Sequence, residues 1–124
     1  MISGVGTDII EVDRIAEKIS RGQGFRELVF AEVEISYCEQ MAHKYQHYAA
    51  RFAAKEALLK ALGTGWISGT AFNEMIVERD ENGRPFFIFT GTTAATLGKM
   101  GLGKISVSLS HVKTTATAIV IIEA

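Results

Sequence analysis

Two acidic residues and one lysine stand where they could bind a metal ion and a phosphate group. Asp8 lies in a predicted strand within Met1–Ile10 that we expect to end near Asp8, and Glu56 lies four residues before Lys60 in a predicted helix. Mg²⁺ prefers oxygen ligands and usually takes only one or two of them from protein. Each acid also has an ordinary structural explanation. Asp8 could cap the helix that follows, and Glu56 could pair with Lys60 one helical turn later.

Three cations fall within three turns of the same predicted helix: Arg51, Lys55 and Lys60. Such a run usually forms a solvated helix face. Here the helix ends at 63–65, Gly-Thr-Gly, where missing side chains would let a ligand approach the backbone. The first of these glycines also has the ordinary role of ending the helix. The pattern is compatible with a phosphate site and with a solvated surface.

His111 ends a segment in which apolar residues alternate with serines, and strand ends are common places for functional sites. A lone histidine is more often structural, and no second His or Cys stands at the spacing of a zinc site. A triad of His111 with Ser108 or Ser110 and an acid lacks a nucleophile elbow. The lone cysteine, Cys38, is expected to pack as a small hydrophobic residue rather than to act as a nucleophile.

Composition narrows the class of protein. The chain has 124 residues, of which 48% are hydrophobic and 22% charged, and this fits one globular domain spanning 1–124. Thirteen basic residues nearly balance fourteen acidic ones, which argues against a broadly basic nucleic-acid-binding protein. A single cysteine cannot form an internal disulfide and favours a cytoplasmic setting. The N-terminus lacks a signal-peptide pattern, and the longest apolar run, 118–122, is too short to span a membrane.

Hydrophobic patterning predicts an α+β fold, with helices in the first half and antiparallel strands in the second. Helices are expected over 12–20, 32–41, 45–62 and 92–100, with a helical turn over 25–30. Strands are expected over 72–79, 86–89, 105–110 and 116–123, in addition to the N-terminal strand. Turn residues at 80–83 predict that 72–79 and 86–89 form a hairpin.

Five short motifs occur together along the chain: GTDIIE at 6–11, RFAAKEA at 51–57, KALGTG at 60–65, GRP at 83–85 and SLSH at 108–111. This combination resembles the 4′-phosphopantetheinyl transferases, in particular their short, stand-alone holo-[acyl-carrier-protein] synthase branch. The motif at 51–57 is very specific, whereas those at 83–85 and 108–111 would be weak alone. The resemblance extends from the first residues to the last strand.

The resemblance implies an enzyme that transfers the 4′-phosphopantetheine arm of coenzyme A to a serine of apo-acyl carrier protein. Adenosine 3′,5′-bisphosphate is released, and the product supports fatty acid biosynthesis. The implied catalytic residues are Asp8, Glu56 and Lys60, with Mg²⁺ bound by the first two. The implied coenzyme A contacts are Arg51, Lys60, Gly65, Pro85 and His111. The resemblance also implies a homotrimer whose active sites lie between subunits. Glu56, Asp8 and a metal-bound water remain alternatives for the base that accepts the serine proton.

The predicted first helix and the segment after it form a candidate docking surface for the carrier protein. Four of the thirteen cations fall between residues 14 and 26, and acyl carrier proteins are acidic, so opposite charges would steer the encounter. The predicted surface comprises Arg14, Lys18, Arg21, Arg26 and an exposed ring of Phe25. Acidic residues at 13, 17 and 27 leave an ordinary solvated face as the alternative.

Two positions depart from the family pattern. Ala31 stands where a capping threonine is common, so the next helix is expected to fray or to shift its start by a residue. Val112 and Lys113 follow His111 where an acidic or polar residue is usual, which leaves the ligand contacts beyond His111 open.

Two other functions compete with transfer. One is a non-catalytic, oligomeric nucleotide-binding domain, and the other is a metal-dependent phosphohydrolase that uses the same carboxylates.

Overall fold

Helices fill the first half of the chain and strands most of the second, which confirms the predicted α+β class. The computed structural model describes residues 1–124. The helices are α1 (Val12–Ser20), α2 (Phe25–Val29), α3 (Glu32–Glu39), α4 (Lys44–Leu62) and α5 (Gly91–Gly98), with a 3₁₀ turn at Phe72–Glu74. The strands are β1 (Ile2–Glu11), β2 (Met75–Arg79), β3 (Pro85–Phe89), β4 (Ile105–His111) and β5 (Thr115–Glu123). No helix combines the length and apolar character needed to cross a bilayer.

Two antiparallel sheets hold the strands. β5 is the centre of a three-stranded sheet in the order β1-β5-β4, and β2 pairs with β3 in the predicted hairpin. Alternate residues of β5 face inward, and these are the buried ones: Ala116, Ala118, Val120 and Ile122. The period of two along β5 therefore places one apolar face of this sheet against the helices.

Helix α4 crosses the inner face of the three-stranded sheet and joins the two halves of the core. Its alanines are small enough for strands to approach the helix closely, and Ala53 and Ala57 are fully buried. A Cβ atom on Gly6 of β1 would collide with the carbonyl oxygen of Ala57. A Cβ atom on Gly4 would likewise collide with the carbonyl oxygen of Ala61, so β1 can lie directly on the α4 backbone only because both residues are glycine.

The first strand is longer than the sequence predicts. β1 pairs with β5 without a break from Gly4 to Glu11, and Asp8 lies opposite Ala118. The prediction that the strand ends near Asp8 is wrong, and so is the interpretation of Asp8 as a helix cap, since Glu11 occupies the position before α1. Pairing with the long apolar strand β5 continues the backbone hydrogen bonds of β1 past the residues whose sequence predicts a strand. Asp8 is therefore held rigidly within a sheet.

Two smaller differences concern the starts of elements. The expected strand at 72–79 begins with the 3₁₀ turn and becomes extended only at Met75. Helix α3 begins at Glu32 without the expected shift of its start, although Ala31 has no side-chain oxygen to cap it. The Glu34 carboxylate accepts a hydrogen bond from the Ala31 N–H at 2.9 Å, so half of a capping box remains.

Candidate active site

Two of the three α4 cations, Arg51 and Lys55, are buried, so the alternative of one solvated face is wrong for them. Lys55 is fully buried and pairs with the equally buried Glu34 at 2.6 Å. Its ammonium also donates to the carbonyl oxygens of Val29 and Phe72 at 2.8 and 2.9 Å. Lys55 is thus a structural residue that joins α4 to α2, α3 and the 3₁₀ turn. It also fixes the backbone immediately before Glu56.

Three of the predicted site residues meet where β1 crosses α4. The Lys60 ammonium donates to Asp8 Oδ1 at 3.0 Å, so the interpretation in which Lys60 pairs with Glu56 is wrong. Glu56 is half-buried and has no ion-pair or hydrogen-bond partner. Burial raises the pKa of the Glu56 carboxyl, the negative charge of Asp8 raises it further, and Lys60 opposes this shift. We call Asp8, Glu56 and Lys60 the carboxylate–lysine cluster.

The donor set of this cluster fits Mg²⁺. Two carboxylates repel one another and share one lysine, so the cluster has negative charge left for a cation to neutralise. Their oxygens are hard ligands of the kind that Mg²⁺ prefers. No group of three or more His, Cys, Asp or Glu side chains assembles into a metal site in the chain. An ion at Asp8 and Glu56 would therefore complete its shell with substrate oxygens and water.

A second group of predicted residues lines a cleft elsewhere on the molecule. Arg51, Pro85 and His111 share a cavity of about 130 Å³. We call it the cationic cleft, and its remaining lining residues are His47, Ala50, Arg79, Gly83 and Leu109. No carboxylate lines it. Arg51 is only 2% exposed, and its Nε has no hydrogen-bond partner. A buried donor without a partner, in a cleft without acids, suits an anionic ligand.

Local structure explains how the cleft residues are placed. Pro85 begins β3 after a turn in which Asp80 Oδ1 accepts hydrogen bonds from the N–H groups of Asn82 and Arg84. Gly83 supplies the left-handed conformation of this turn, with φ of 81°. At the end of β4, His111 Nδ1 lies 2.8 Å from the side-chain oxygen of Gln46 on α4. The β2–β3 hairpin and strand β4 thus both reach the first half of α4.

Within one chain the cluster and the cleft are separate. Arg51 and Lys60 lie nine residues apart on α4, which is about 13 Å along the axis and half a turn around it. Gly65 follows α4 with φ of 64°, is exposed and does not line the cleft. The predicted coenzyme A contacts therefore fall into two groups on different faces of the helix.

Sequence reasoning missed the other polar residues of the cleft. His47, one turn before Arg51 on α4, and Arg79, at the end of β2, both line it. Tyr37 of α3 contacts both arginines, with the Arg51 guanidinium carbon 4.4 Å from the ring centroid. The helical spacing of His47 and Arg51 was a signal that could have found His47. Nothing local in the sequence links Tyr37 or Arg79 to this site.

Of the predicted docking residues, Lys18, Arg21 and Phe25 line one groove, and Arg26 lines a separate one. The four cations also differ in whether an acidic side chain already pairs with them. Arg21 pairs with Glu17, and Arg26 pairs with Glu27 and Glu39. Arg14 is exposed and forms no ion pair, and the Lys18 ammonium lies 5.4 Å from the centre of the Phe25 ring.

The expected exposed ring of Phe25 is wrong. Phe25 is half-buried, because it packs against Phe30 and Phe52. The exposed apolar residue of this surface is instead Leu28, which is 70% exposed. Leu28 shares a groove with Lys18, Arg21 and Phe25.

Nucleophilic catalysis by this chain's own Cys or Ser finds no support in the geometry. Cys38 is fully buried, and burial raises the pKa of its thiol to about 12. The Nδ1 of His111 faces Gln46, and no serine hydroxyl hydrogen-bonds to the ring. These observations agree with the expectation that Cys38 packs as a small hydrophobic residue.

Known proteins share both the sequence and the fold. The sequence profile of the 4′-phosphopantetheinyl transferase superfamily matches residues 4–118. A holo-[acyl-carrier-protein] synthase from Cytophaga hutchinsonii is 44% identical over 124 residues, covering 98% of this chain and 97% of that protein. The crystal structure of holo-[acyl-carrier-protein] synthase from Neisseria meningitidis superposes with a TM-score of 0.91 at 33% identity, covering 100% of both chains.

A holo-(acyl-carrier-protein) synthase from Bacillus anthracis, solved in complex with CoA (3′,5′-ADP), gives a TM-score of 0.82 at 32% identity. The match covers 100% of this chain and 98% of that one. Agreement in profile, sequence and fold over nearly the whole length decides the family. The chain belongs to the holo-[acyl-carrier-protein] synthases, enzymes of the 4′-phosphopantetheinyl transferase superfamily.

Proposed function

We propose that this chain transfers the 4′-phosphopantetheine arm of coenzyme A to a serine of apo-acyl carrier protein, with Mg²⁺ as its metal and fatty acid biosynthesis as its setting. The observation that carries the proposal is the carboxylate–lysine cluster, in which Lys60 pairs with Asp8 at 3.0 Å beside an unpaired, half-buried Glu56. The names of the relatives and the coenzyme A complex of the Bacillus anthracis protein support the substrates.

The reaction is a phosphoryl transfer between two oxygens. The hydroxyl oxygen of the carrier serine forms a bond to the phosphorus that carries the pantetheine arm. The bond from that phosphorus to the bridging pyrophosphate oxygen breaks, and adenosine 3′,5′-bisphosphate leaves with the bonding electrons. The serine proton passes to a base. Such a reaction requires mainly positioning and charge stabilisation.

The residues of the cluster would divide these tasks. Asp8 and Glu56 would hold the metal, which when bound withdraws charge from the phosphate oxygens and polarises the attacked phosphorus. Lys60 is 56% exposed at its side chain and reaches Asp8 with one N–H, so its other N–H groups are free to donate to the leaving phosphate. Its ammonium would offset the negative charge that accumulates there.

The test is to incubate the protein with coenzyme A, Mg²⁺ and an apo-acyl carrier protein and to measure the mass of the carrier. A gain of one phosphopantetheine group supports transfer. Coenzyme A cleaved without any change in the carrier would support the phosphohydrolase alternative. Binding of coenzyme A with neither product would support a non-catalytic nucleotide-binding domain.

We further propose that residues 1–124 form one transferase domain that works as a homotrimer, because the two halves of its site are separate within one chain. Arg51 and Lys60 lie about half a turn apart around α4, so one ligand would reach both more easily across two subunits. The outer face of the three-stranded sheet is free for such contacts. It exposes Val5 by 53%, Ile9 by 71% and Ile119 by 37%. An exposed apolar sheet face of this kind is typical of subunit interfaces.

Complementation between inactive variants tests the shared site. Asp8→Asn disables the cluster and His111→Ala disables the cleft, so each protein alone should be inactive. After co-refolding at equal amounts, each half-site is intact with a probability of one half, and about a quarter of the intersubunit sites are complete in a symmetric ring. Recovery near that level supports shared sites. No recovery, or an active monomer in sedimentation, contradicts the proposal.

The carrier protein is proposed to dock on α1, α2 and the segment between them. Arg14, Lys18, Arg21 and Arg26 supply positive charge there, and Phe25 with Leu28 supplies apolar surface. Acidic carrier proteins would be steered to this surface by opposite charge. The proposed partners are thus coenzyme A, the carrier protein and two further copies of the chain. The proposed location is the cytoplasm, where the enzyme would encounter both substrates.

A further inference from the structure

One aromatic side chain, Tyr37, contacts both arginines of the cationic cleft. The Arg51 guanidinium carbon lies 4.4 Å from the centroid of the Tyr37 ring, a distance at which a cation is attracted to the ring face. The Arg79 guanidinium carbon lies 5.8 Å from the same centroid. Arg79 Nη1 also donates a hydrogen bond to the Tyr37 hydroxyl at 2.9 Å. Tyr37 therefore couples two cations that come from α4 and from β2.

Neither arginine has an anionic partner within the chain. The ion pairs of the protein involve other residues, and no carboxylate lines the cleft. Arg51 is 98% buried, with its Nε unpartnered. A buried guanidinium without a carboxylate is costly unless an anion reaches it. The anion is therefore expected to come from a ligand.

The lining of the cleft defines the class of anion. The guanidinium groups of Arg51 and Arg79 line the cleft together with the imidazoles of His47 and His111. The two imidazole ring centroids lie 5.0 Å apart. Guanidinium groups recognise phosphate through paired hydrogen bonds. Coenzyme A carries one phosphate monoester apart from its pyrophosphate. If the pyrophosphate lies at the carboxylate–lysine cluster, as the proposed function requires, the monoester is the group left for the cleft.

We propose that Tyr37 is a positioning residue that orients Arg51 and Arg79 so that both donate to one phosphate monoester. Its ring supports the Arg51 guanidinium, and its hydroxyl restrains Arg79. Arg79 is exposed at the end of β2, and a free arginine there would lose side-chain entropy on binding an anion. The hydrogen bond to Tyr37 removes part of that entropy loss before the ligand arrives. Arg79 is thereby a second phosphate-binding residue beside Arg51.

The test compares coenzyme A with dephospho-coenzyme A, which lacks only the monoester, by titration calorimetry on the full chain. We expect the unaltered protein to bind coenzyme A at least about tenfold more tightly, the size of a charge-assisted hydrogen bond. Arg79→Gln should weaken coenzyme A binding about tenfold and change dephospho-coenzyme A binding less than about twofold. Tyr37→Phe, which removes only the hydroxyl, should weaken coenzyme A binding about threefold.

The double variant separates positioning from a general structural effect. If the Tyr37 hydroxyl acts through Arg79, Tyr37→Phe combined with Arg79→Gln should bind coenzyme A no more weakly than Arg79→Gln alone. Additive losses, or equal losses for the two ligands, would overturn the inference. Tyr45→Phe is the matched control, because the Tyr45 hydroxyl contacts Ser20 at 3.3 Å and Tyr45 lies outside the cleft. It should bind both ligands normally.

The inference and the proposed function can fail independently. Mass measurement of the carrier reports transfer, whereas the calorimetry reports only recognition of the monoester. Transfer by the unaltered protein, together with normal discrimination in Tyr37→Phe and Arg79→Gln, would refute the inference alone. Discrimination reduced to the expected extent in these two variants, in a protein that does not transfer the arm, would support the inference and refute the proposed function.

Discussion

The Lys60 ammonium donates a hydrogen bond to Asp8 at 3.0 Å, across 52 positions of sequence. This pairing places the second half of β1 beside the last turns of α4. It also leaves Glu56, one turn earlier on the same helix, without a cationic partner. The cluster therefore contains two carboxylates and only one ammonium group. A divalent cation would neutralise the excess negative charge.

Replacing either carboxylate by its amide should remove transfer without unfolding the protein. Asp8→Asn and Glu56→Gln keep the shape of the side chain but lose charge, so we expect transfer to fall by about 100-fold or more. The thermal midpoint should change little, because relief of the repulsion between the two acids offsets the loss of the partly exposed Lys60–Asp8 pair in Asp8→Asn. Carrier mass and Mg²⁺ titration calorimetry measure the two effects.

Glu11→Gln serves as the control for these variants. Glu11 is an exposed acid at the end of the same strand and belongs to neither the cluster nor the cleft. Its amide variant should transfer normally. Full activity of Asp8→Asn or Glu56→Gln, or of the unaltered protein in excess chelator, would disprove the metal assignment.

The contact between β1 and α4 should not tolerate a methyl group at residue 6. In Gly6→Ala the new Cβ would overlap the Ala57 carbonyl oxygen, which belongs to a helix backbone and cannot move aside. We expect a loss of about 3 kcal/mol or more in the free energy of unfolding, measured by urea denaturation. Gly98→Ala is the matched control, because nothing lies within 4 Å of its new Cβ. It should be neutral or stabilising by up to about 1 kcal/mol, since alanine favours the helix.

The buried ion pair between Lys55 and Glu34 should matter far more than a surface pair. Lys55→Met leaves the Glu34 carboxylate buried without its cation and removes hydrogen bonds to two backbone carbonyls. We expect a loss of about 3–5 kcal/mol in the free energy of unfolding. Lys44→Met, which breaks the partly exposed pair of Lys44 with Glu39 at 3.3 Å, should cost at most about 1 kcal/mol. Equal effects of the two substitutions in denaturant titrations would contradict this ranking.

Stability should fall on acidification partly because of His47. Burial lowers the pKa of His47 below its ordinary value of 6.5, and electrostatic interaction with the neighbouring basic side chains His111, Arg51, Arg79 and His43 lowers it further. Just below pH 6.5 the unfolded chain therefore binds more protons at this residue than the folded protein does. The free energy of unfolding must then rise with pH through this window and fall as the pH drops through it.

His47→Phe removes this titration and keeps an aromatic ring beside Tyr37, which contacts His47 edge-on at 5.8 Å. The decrease in the thermal midpoint between about pH 7 and about pH 5.5 should be smaller in the variant than in the unaltered protein. Thermal unfolding followed by circular dichroism at several pH values makes the comparison. An equal decrease in both proteins would show that folding does not perturb His47.

Reversing charge on the first helix should weaken recognition of the carrier protein alone. Arg14 is exposed and unpaired, whereas Arg21 already pairs with Glu17, so Arg14→Glu should have the larger effect of the two reversals. The double reversal should raise the KM for carrier protein and weaken its salt dependence, because surface charges of an interface mainly set the association rate. Binding of coenzyme A should stay nearly unchanged.

Lys99→Glu is the control for the charge reversals, since Lys99 is an exposed, unpaired cation just beyond α5 and does not line the groove of the proposed docking surface. It should leave the KM for carrier protein as it was. An unaltered KM in the Arg14 and Arg21 double variant at low salt would place the docking surface elsewhere.

The sequence by itself determined the fold class, most of the secondary structure and the family. Helix α4 is predicted at 45–62 and spans Lys44–Leu62, because its signal is local: a run of good helix formers that ends at Gly63. The hairpin of β2 and β3 is equally local, since its turn is specified by residues 80–83. The motifs name the family because each is a set of neighbouring residues that can be read without a structure.

Only the tertiary structure decided which charges meet. Lys60 could have paired with Glu56 at helical spacing, yet β1 brings Asp8 to it, because Gly6 lets the strand lie on the helix backbone. Lysine is a residue type usually found at the surface. Lys55 is nevertheless buried, because helices α2 and α3 pack over it and Glu34 of α3 neutralises its charge.

The cleft depended on tertiary structure in the same way. Tyr37 and Arg79 come from α3 and β2, 42 residues apart in sequence, and they meet only because both elements pack beside α4. Local sequence specifies the dihedral angles of an element and the pattern of its buried face. The partner of a charged side chain depends on contacts between distant segments, and these exist only once the core has formed.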